Sequence, residues 1–248
     1  MKQYGLIGFP LSHSFSKKYF AEKFQKEGIT DSNYDLYEIE QASKLEDVIK
    51  SVGKDLKGLN VTIPHKQEVI PLMDKMDAAA KKIGAVNVIK IQNGKLKGYN
   101  SDYFGFKRAL EELLKGDHNL TALVLGTGGA SKAVITALED LNIPFQYVSR
   151  KASENILAYE QLDSNTVKSN RLLINCTPLG MHPNVDTCPE LDYEAISDSH
   201  YLFDLVYNPE ETLFMEKGLL KGAQVKNGLD MLVYQAEKSW EIWNEKEF

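Results

Sequence analysis

The chain has 248 residues, a formal net charge of −6 and an apolar fraction of 43%. That is enough for one large or two modest domains with a full core, and the acidic balance argues against a nucleic-acid binder, which presents a basic face. No run of about 18 apolar residues and no early apolar segment with a cleavage site occurs, so a soluble, cytoplasmic protein without membrane contact is expected.

The first predicted strand is Tyr4–Phe9, stopped by Pro10. A helix from Ser16 to Glu27 follows, with Tyr19, Phe20 and Phe24 on one face and Gly28 ending it. Tyr34–Ile39 alternates as a strand does, Gln41–Val52 has a helical pattern, and Lys57–Thr62 is a strand ended by Pro64. Short helices are expected around Lys66–Leu72 and Asp77–Ile83. Val86–Ile91 and Lys95–Tyr99 flank Gln92-Asn93-Gly94, a strong hairpin signal because both turn residues tolerate positive φ. Asp102 is expected to cap a helix running to Leu114.

A second alternation starts at Leu120. Leu120–Leu125 reads as a buried strand, Gly129–Leu141 as a helix, and Phe145–Ser149, Leu172–Asn175 and Tyr201–Leu205 as further strands. Strands alternating with helices imply parallel pairing and a doubly wound sheet. The fold class is therefore α/β, in two units over 1–101 and 102–230, with a last helix from Met231 to Trp243 able to pack on either. Ligands of open α/β sheets sit at the carboxyl ends of strands, so the active site is expected in the cleft between units.

Cys176 and Cys188 have no partners at metal-ligand spacing, and none of His13, His65, His118, His182 and His200 forms a His-x-x-x-His pair. No metal site is expected.

Gly126-Thr127-Gly128-Gly129-Ala130-Ser131 follows the buried strand and opens a helix. The first glycine permits the tight bend, and the second lets backbone N–H groups approach a pyrophosphate. A tight turn without a ligand would use the same residues. Past the next strand the chain reads Ser149-Arg150-Lys151, with no acid to bond a ribose 2′-hydroxyl. Arg150 can pair a 2′-phosphate bidentately and Lys151 adds charge, so NADP is favoured over NAD. Ser14 and Ser16 offer hydroxyls at a helix start, for an anion or simply for capping. Asn60-Val61-Thr62-Ile63-Pro64-His65-Lys66 and Asn100-Ser101-Asp102 bring one lysine and one aspartate to polar turns beside strands. A lysine carries protons and a carboxylate can hold it. Adjacent side chains in extended chain point apart, so His65 is not expected to share that role. Asp204, ending a strand, is expected to cap a turn rather than bind metal.

These stretches, with Gly84-Ala85-Val86-Asn87, Asp102-x-x-Gly105, Asn175-Cys176-Thr177-Pro178-x-Gly180-Met181, Asp204-Leu205-Val206-Tyr207-x-Pro209 and Gly228-x-x-Met231-Leu232-Val233-x-Gln235, make the chain resemble the shikimate dehydrogenases along nearly its whole length. The resemblance implies NADPH-dependent reduction of 3-dehydroshikimate to shikimate, in aromatic amino-acid synthesis. It implies Lys66 and Asp102 as the catalytic pair, and Ser14 and Ser16 on the substrate carboxylate. Thr62, Asn87 and Gln235 would bind ring hydroxyls, with Tyr207 nearby. Gly126, Gly128, Gly129, Ala130, Ser149, Arg150 and Lys151 would hold the nucleotide, Thr177 and Met181 would flank it, and the Gly228 backbone would meet the nicotinamide. Gln235 further implies that helix 231–248 returns to a substrate-binding domain formed by 1–101. The chain departs from the family pattern at Lys17, where proline is common, and at Ser149-Arg150-Lys151, where Asn-Arg-Thr is usual; trimming is expected over 152–170. The alternatives are a quinate dehydrogenase using NAD or NADP and a non-catalytic NADP- or metabolite-sensing protein. A small-molecule substrate and a monomer or homodimer are expected.

Overall fold

The computed structural model describes residues 1–12 and 14–248; His13 lies outside the described residues. The chain divides into two compact units, Met1–Ser101 with Ala236–Phe248, and Asp102–Gln235.

The first unit runs β1 (Lys2–Gly8), α1 (Phe15–Glu27), β2 (Ser32–Glu38), α2 (Leu45–Val52), β3 (Leu56–Val61), β4 (Lys75–Met76), α3 (Ala78–Ile83), β5 (Val88–Gln92) and β6 (Lys95–Tyr99). Its six-stranded sheet has the order β2-β1-β3-β5-β6-β4. β1 is parallel to β2 and β3, whereas β5 is antiparallel to both β3 and β6. The expected hairpin is present: Asn93 (φ 53°) and Gly94 (φ 74°) reverse the chain in two residues, so β5 and β6 pair antiparallel, which a helical crossover could not give. Alternate strand residues go to opposite faces. Ile7, Leu59, Val61 and Ile89 thus enter one core with Val48 and Leu45, while Tyr4, Leu6 and Val88 enter another with Phe20 and Phe24.

In the second unit, α4 (Ser101–Leu114), β7 (Ala122–Leu125), α5 (Gly129–Asp140), β8 (Phe145–Ser149), β9 (Ile156–Ala158), α6 (Ser164–Ser169), β10 (Leu172–Asn175), β11 (Tyr201–Asp204), α7 (Leu213–Leu219), β12 (Gln224–Lys226) and α8 (Leu229–Asn244) follow one another. All six strands are parallel, in the order β12-β11-β10-β7-β8-β9. β7, β10 and β11 are buried at every residue, which is why they read as continuous apolar runs. Val124 and Ile174 pack under Phe106 and Val134, and Leu123 and Leu173 under Phe214.

Helix α8 gives its first turns to the second unit and the rest to the first. There Trp243 lies over Gly58, where a Cβ would fall 2.1 Å from the indole nitrogen, and that nitrogen donates to the Ile89 carbonyl at 3.1 Å. Tyr19 and Lys23 of α1 both bind Glu237, the lysine at 2.8 Å. Burial alone would push Lys23 down, but its bonds to Glu237 and Glu27 carry it above its ordinary value. No helix of the described residues is long and apolar enough to cross a membrane.

Three local expectations change. Residues 63–69 form turns followed by a single 3-10 turn, Ile70–Leu72, in place of a helix, since Pro71 has no N–H and clashes with a continued helix. Helix α4 starts one residue early, so Asp102 lies in its first turn and does not cap it. Gln41–Val52 splits into a 3-10 turn, Ala42–Lys44, and α2.

Candidate active site

In the first unit the site residues lie on loops at the carboxyl edge of β1 and β3. Thr62 N–H donates to Ile7 O at 2.9 Å and Phe9 N–H to Ile63 O at 3.1 Å, which ties the two loops together. Gly8 allows this approach: a Cβ there would stand 2.4 Å from the Thr62 methyl. Because β5 is antiparallel to β3, its start lies beside that same edge, and Val61 N–H donates to Asn87 O at 2.9 Å. The half-buried Lys66 follows at once, its carbonyl accepting from Val86 N–H at 2.7 Å. Ser14, Ser16, Thr62, Lys66 and Asn87 thus come from three loops of one sheet edge.

Ser14 occupies the N-cap position of the 13-residue α1 with extended backbone, yet its side chain makes no capping bond. Its hydroxyl is buried with no hydrogen-bond partner among the described residues. A buried unpaired hydroxyl costs about 1–3 kcal/mol, and one placed at a helix N-terminus is relieved by an incoming anion. Simple capping therefore does not account for Ser14.

His65 is fully buried, with Nε2–H donating to Ile39 O at 2.7 Å and Nδ1 2.8 Å from Glu68. Both ring nitrogens are thus occupied in holding the loop that carries Lys66, and its structural role is the one this geometry supports.

In the second unit, Gly126 leaves β7 at φ 102°, and a Cβ there would stand 2.8 Å from the Thr177 methyl. A Cβ added at Gly128 or Gly129 would meet nothing within 4 Å, so the start of α5 is uncrowded on that side. A cavity of about 450 Å³ opens beside these glycines, lined among others by Gly126, Gly128, Ser149, Arg150, Tyr159 and Thr177. It lies where β7 separates the β8-β9 side of the sheet from the β10-β11-β12 side, the switch point where such sheets bind ligands. Ser131 is buried and its hydroxyl donates to Gly128 O at 2.7 Å, so it packs in the place of the usual third glycine. The exposed Arg150 stands at the rim, with Lys151 exposed beside it. A phosphate-bearing dinucleotide fits this setting: an uncrowded helix start, a glycine turn and a guanidinium.

Thr177 is held by Asn175, whose Oδ1 accepts from its N–H at 3.0 Å and its hydroxyl at 2.6 Å. Asn175 Nδ2 donates in turn to Asp204 at 2.9 Å, and Asp204 also takes Val206 N–H and the Thr212 hydroxyl. Asp204 thus closes a turn. Burial, with Asp204 nearby, pushes the Cys176 thiol well above its usual range, which makes it a wall and not a nucleophile. Tyr159 was not anticipated: it falls in 152–170, where the chain carries no motif, and its hydroxyl is buried without a partner among the described residues.

Met181 and Tyr207 are exposed on the loops after β10 and β11. Gly228 is buried against the backbone, its N–H donating to Val206 O at 3.1 Å and a Cβ there falling 2.2 Å from Leu205 O. Asp102 and Gln235 lie on α4 and α8, which touch through Gly105, where a Cβ would stand 2.4 Å from Met231 O and 3.1 Å from Gln235 Cβ. No group of three or more His, Cys, Asp or Glu able to hold a metal is found among the described residues.

Residues 6–89 match the family model described as the shikimate dehydrogenase substrate binding domain. The chain is 43% identical over 259 residues to shikimate dehydrogenase (NADP(+)) of Clostridium beijerinckii, covering 99% of this chain and 93% of that one. It is 39% identical over 260 residues to shikimate dehydrogenase (NADP(+)) of Methanococcus aeolicus, covering 98% and 91%. Among solved structures it is similar to shikimate 5-dehydrogenase of Thermus thermophilus in complex with NADP(H) and shikimate. That match has a TM-score of 0.83, 30% identity and coverage of 98% and 94%.

Proposed function

Because the chain belongs to the shikimate dehydrogenase family, we propose that it interconverts shikimate and 3-dehydroshikimate with NADP(H). The observation that carries this reading is likeness to NADP-dependent shikimate dehydrogenases from end to end, so that both units are accounted for together.

NADP(H), when bound, gives a hydride to the ketone carbon or takes one back. The chain's own residues manage charge and protons. As hydride reaches the ketone carbon, negative charge builds on its oxygen, and the Lys66 ammonium stabilises that charge and delivers the proton. Asp102 supplies the counter-charge that orients the ammonium. In the reverse direction neutral Lys66 removes the hydroxyl proton. Ser14 and Ser16 receive the substrate carboxylate, a role supported by the unpartnered Ser14 hydroxyl. Thr62, Asn87 and Gln235 fix ring hydroxyls, with Tyr207 beside the ring. Gly126, Gly128, Gly129 and Ala130 present N–H groups to the pyrophosphate, and Ser149, Arg150 and Lys151 take the 2′-phosphate end. Thr177, Met181 and the Gly228 backbone border the nicotinamide.

The test follows reduced-nicotinamide absorbance with shikimate or quinate and with NADP⁺ or NAD⁺. The highest kcat/KM is expected for shikimate with NADP⁺. Preference for quinate with NAD⁺ overturns the substrate assignment, and no turnover with any pair overturns the enzyme assignment.

A further inference from the structure

Beneath the substrate-side loops of the first unit runs a line of buried polar side chains that no sequence motif joins. Tyr34, Asn60, Asn87, Ser101 and Ser239 are each less than a tenth exposed. The Tyr34 hydroxyl donates to Asn60 Oδ1 at 2.9 Å, and Asn60 Nδ2 donates to Ser239 Oγ at 2.9 Å. Ser239 Oγ lies 3.2 Å from Ser101 Oγ, which accepts from Asn87 Nδ2 at 3.0 Å.

The amide orientations follow from chemistry. The Ser101 backbone N–H can only donate, so the atom 2.6 Å from it is the oxygen of Asn87. Its Nδ2 therefore faces the Ser101 hydroxyl. A backbone carbonyl can only accept, so the Asn60 atom 3.3 Å from Asn87 O is Nδ2. Asn60 Oδ1 is then left for the Tyr34 proton. Each amide has one orientation compatible with its neighbours.

We propose that Ser239 and Tyr34 are positioning residues, which lock the Asn87 carboxamide through Asn60 and Ser101 so that it offers the substrate one N–H and one oxygen lone pair in fixed places. This rests on the reading of Asn87 as a substrate ligand. Anchoring of the last helix alone does not call for the Ser239 hydroxyl. Helix α8 is already anchored in this unit by Trp240 and Trp243, which pack on Tyr4, Phe20 and Phe24. An apolar residue of serine's size would serve packing as well.

The test compares Ser239→Ala and Tyr34→Phe with the wild-type enzyme. For Ser239→Ala, KM for shikimate is expected to rise about tenfold, as for loss of one orienting hydrogen bond, with kcat within about twofold. KM for NADP⁺ should stay near wild type, while the melting temperature should fall modestly because the buried Asn60 Nδ2 loses its acceptor. Tyr34→Phe, which keeps the ring, should move shikimate KM the same way, and serves if the first variant folds poorly. In an Asn87→Ala background, Ser239→Ala should add nothing further. Unchanged shikimate KM in both single variants overturns the proposal, as does a full second penalty in the Asn87→Ala background. An inactive wild-type protein would sink the enzyme reading instead. The Asn87 side-chain amide resonances would still report the lock: distinct in the wild type, broadened or shifted in Ser239→Ala, and unchanged there only if the proposal is wrong.

Discussion

Asn87 and Ser101 hold one another twice: the Ser101 N–H donates to Asn87 Oδ1 at 2.6 Å, and Asn87 Nδ2 donates to the Ser101 hydroxyl at 3.0 Å. Both residues are buried, so removing the amide leaves a main-chain donor without an acceptor at the start of α4. Asn87→Ala is therefore expected to lower unfolding free energy by about 1–3 kcal/mol as well as raise KM for shikimate. Denaturant titration beside steady-state kinetics checks both. Wild-type stability in that variant would mean that the pair contributes nothing to the fold.

Lys66 separates its two roles by atom. Its carbonyl secures Val86 N–H at 2.7 Å, a bond that any residue at this position keeps, while the proposed proton transfer belongs to the side chain. Lys66→Ala should thus fold normally and lose about 10²–10⁴ in turnover, the usual worth of a positioned general acid–base. In the proposed reading one lysine serves both directions, so the variant should lose shikimate oxidation and 3-dehydroshikimate reduction to the same extent. Wild-type turnover in a folded Lys66→Ala protein, with chemistry shown to be rate-limiting by a deuterium isotope effect, would remove lysine from the proton step.

Arg150 lines the cavity beside the glycine turn, just past the end of β8, where we propose the nucleotide binds. A charged hydrogen bond to a 2′-phosphate is worth about 1.5–3 kcal/mol, or roughly 10- to 150-fold in binding. Arg150→Gln should raise KM for NADP⁺ by that factor and leave NAD⁺ nearly unaffected. Equal losses for both cofactors would place Arg150 away from the phosphate.

The parts of the fold legible in the sequence are those whose signal is local. β7 and its glycine turn declare themselves because four buried apolar residues precede Gly126. The β5–β6 hairpin does so because Asn93 and Gly94 suit positive φ. The strands that escaped notice, β4, β9 and β12, are two or three residues long and nowhere fully buried, too short for a period to show. Ser239 was invisible for another reason. Its partner Asn60 is 179 residues away, and a serine on an amphipathic helix looks the same whether it meets water or a buried amide. Tyr159 likewise borders the nucleotide cavity only because β9 returns the chain beside β8.

Asp204 allows a prediction from linkage. Burial pushes its carboxyl up to about 6 from an ordinary 3.8, although bonds from Thr212, Val206 and Asn175 pull the other way. Between those values the folded chain keeps a proton that the unfolded chain has released. Stability from this group therefore falls as pH rises from 3.8 to about 6 and is constant beyond. Asn at this position keeps an oxygen for Asn175 and Val206 and does not ionise; Thr212 must then accept instead of donate. Relative to wild type, Asp204→Asn should gain stability across that window, by on the order of 3 kcal/mol at most, and hold a constant difference above it. Unfolding free energies measured at intervals through the window check this. Wild-type and variant curves that run parallel throughout would mean that Asp204 carries the same charge folded and unfolded, and that burial does not govern the turn that holds Asn175 and Thr177.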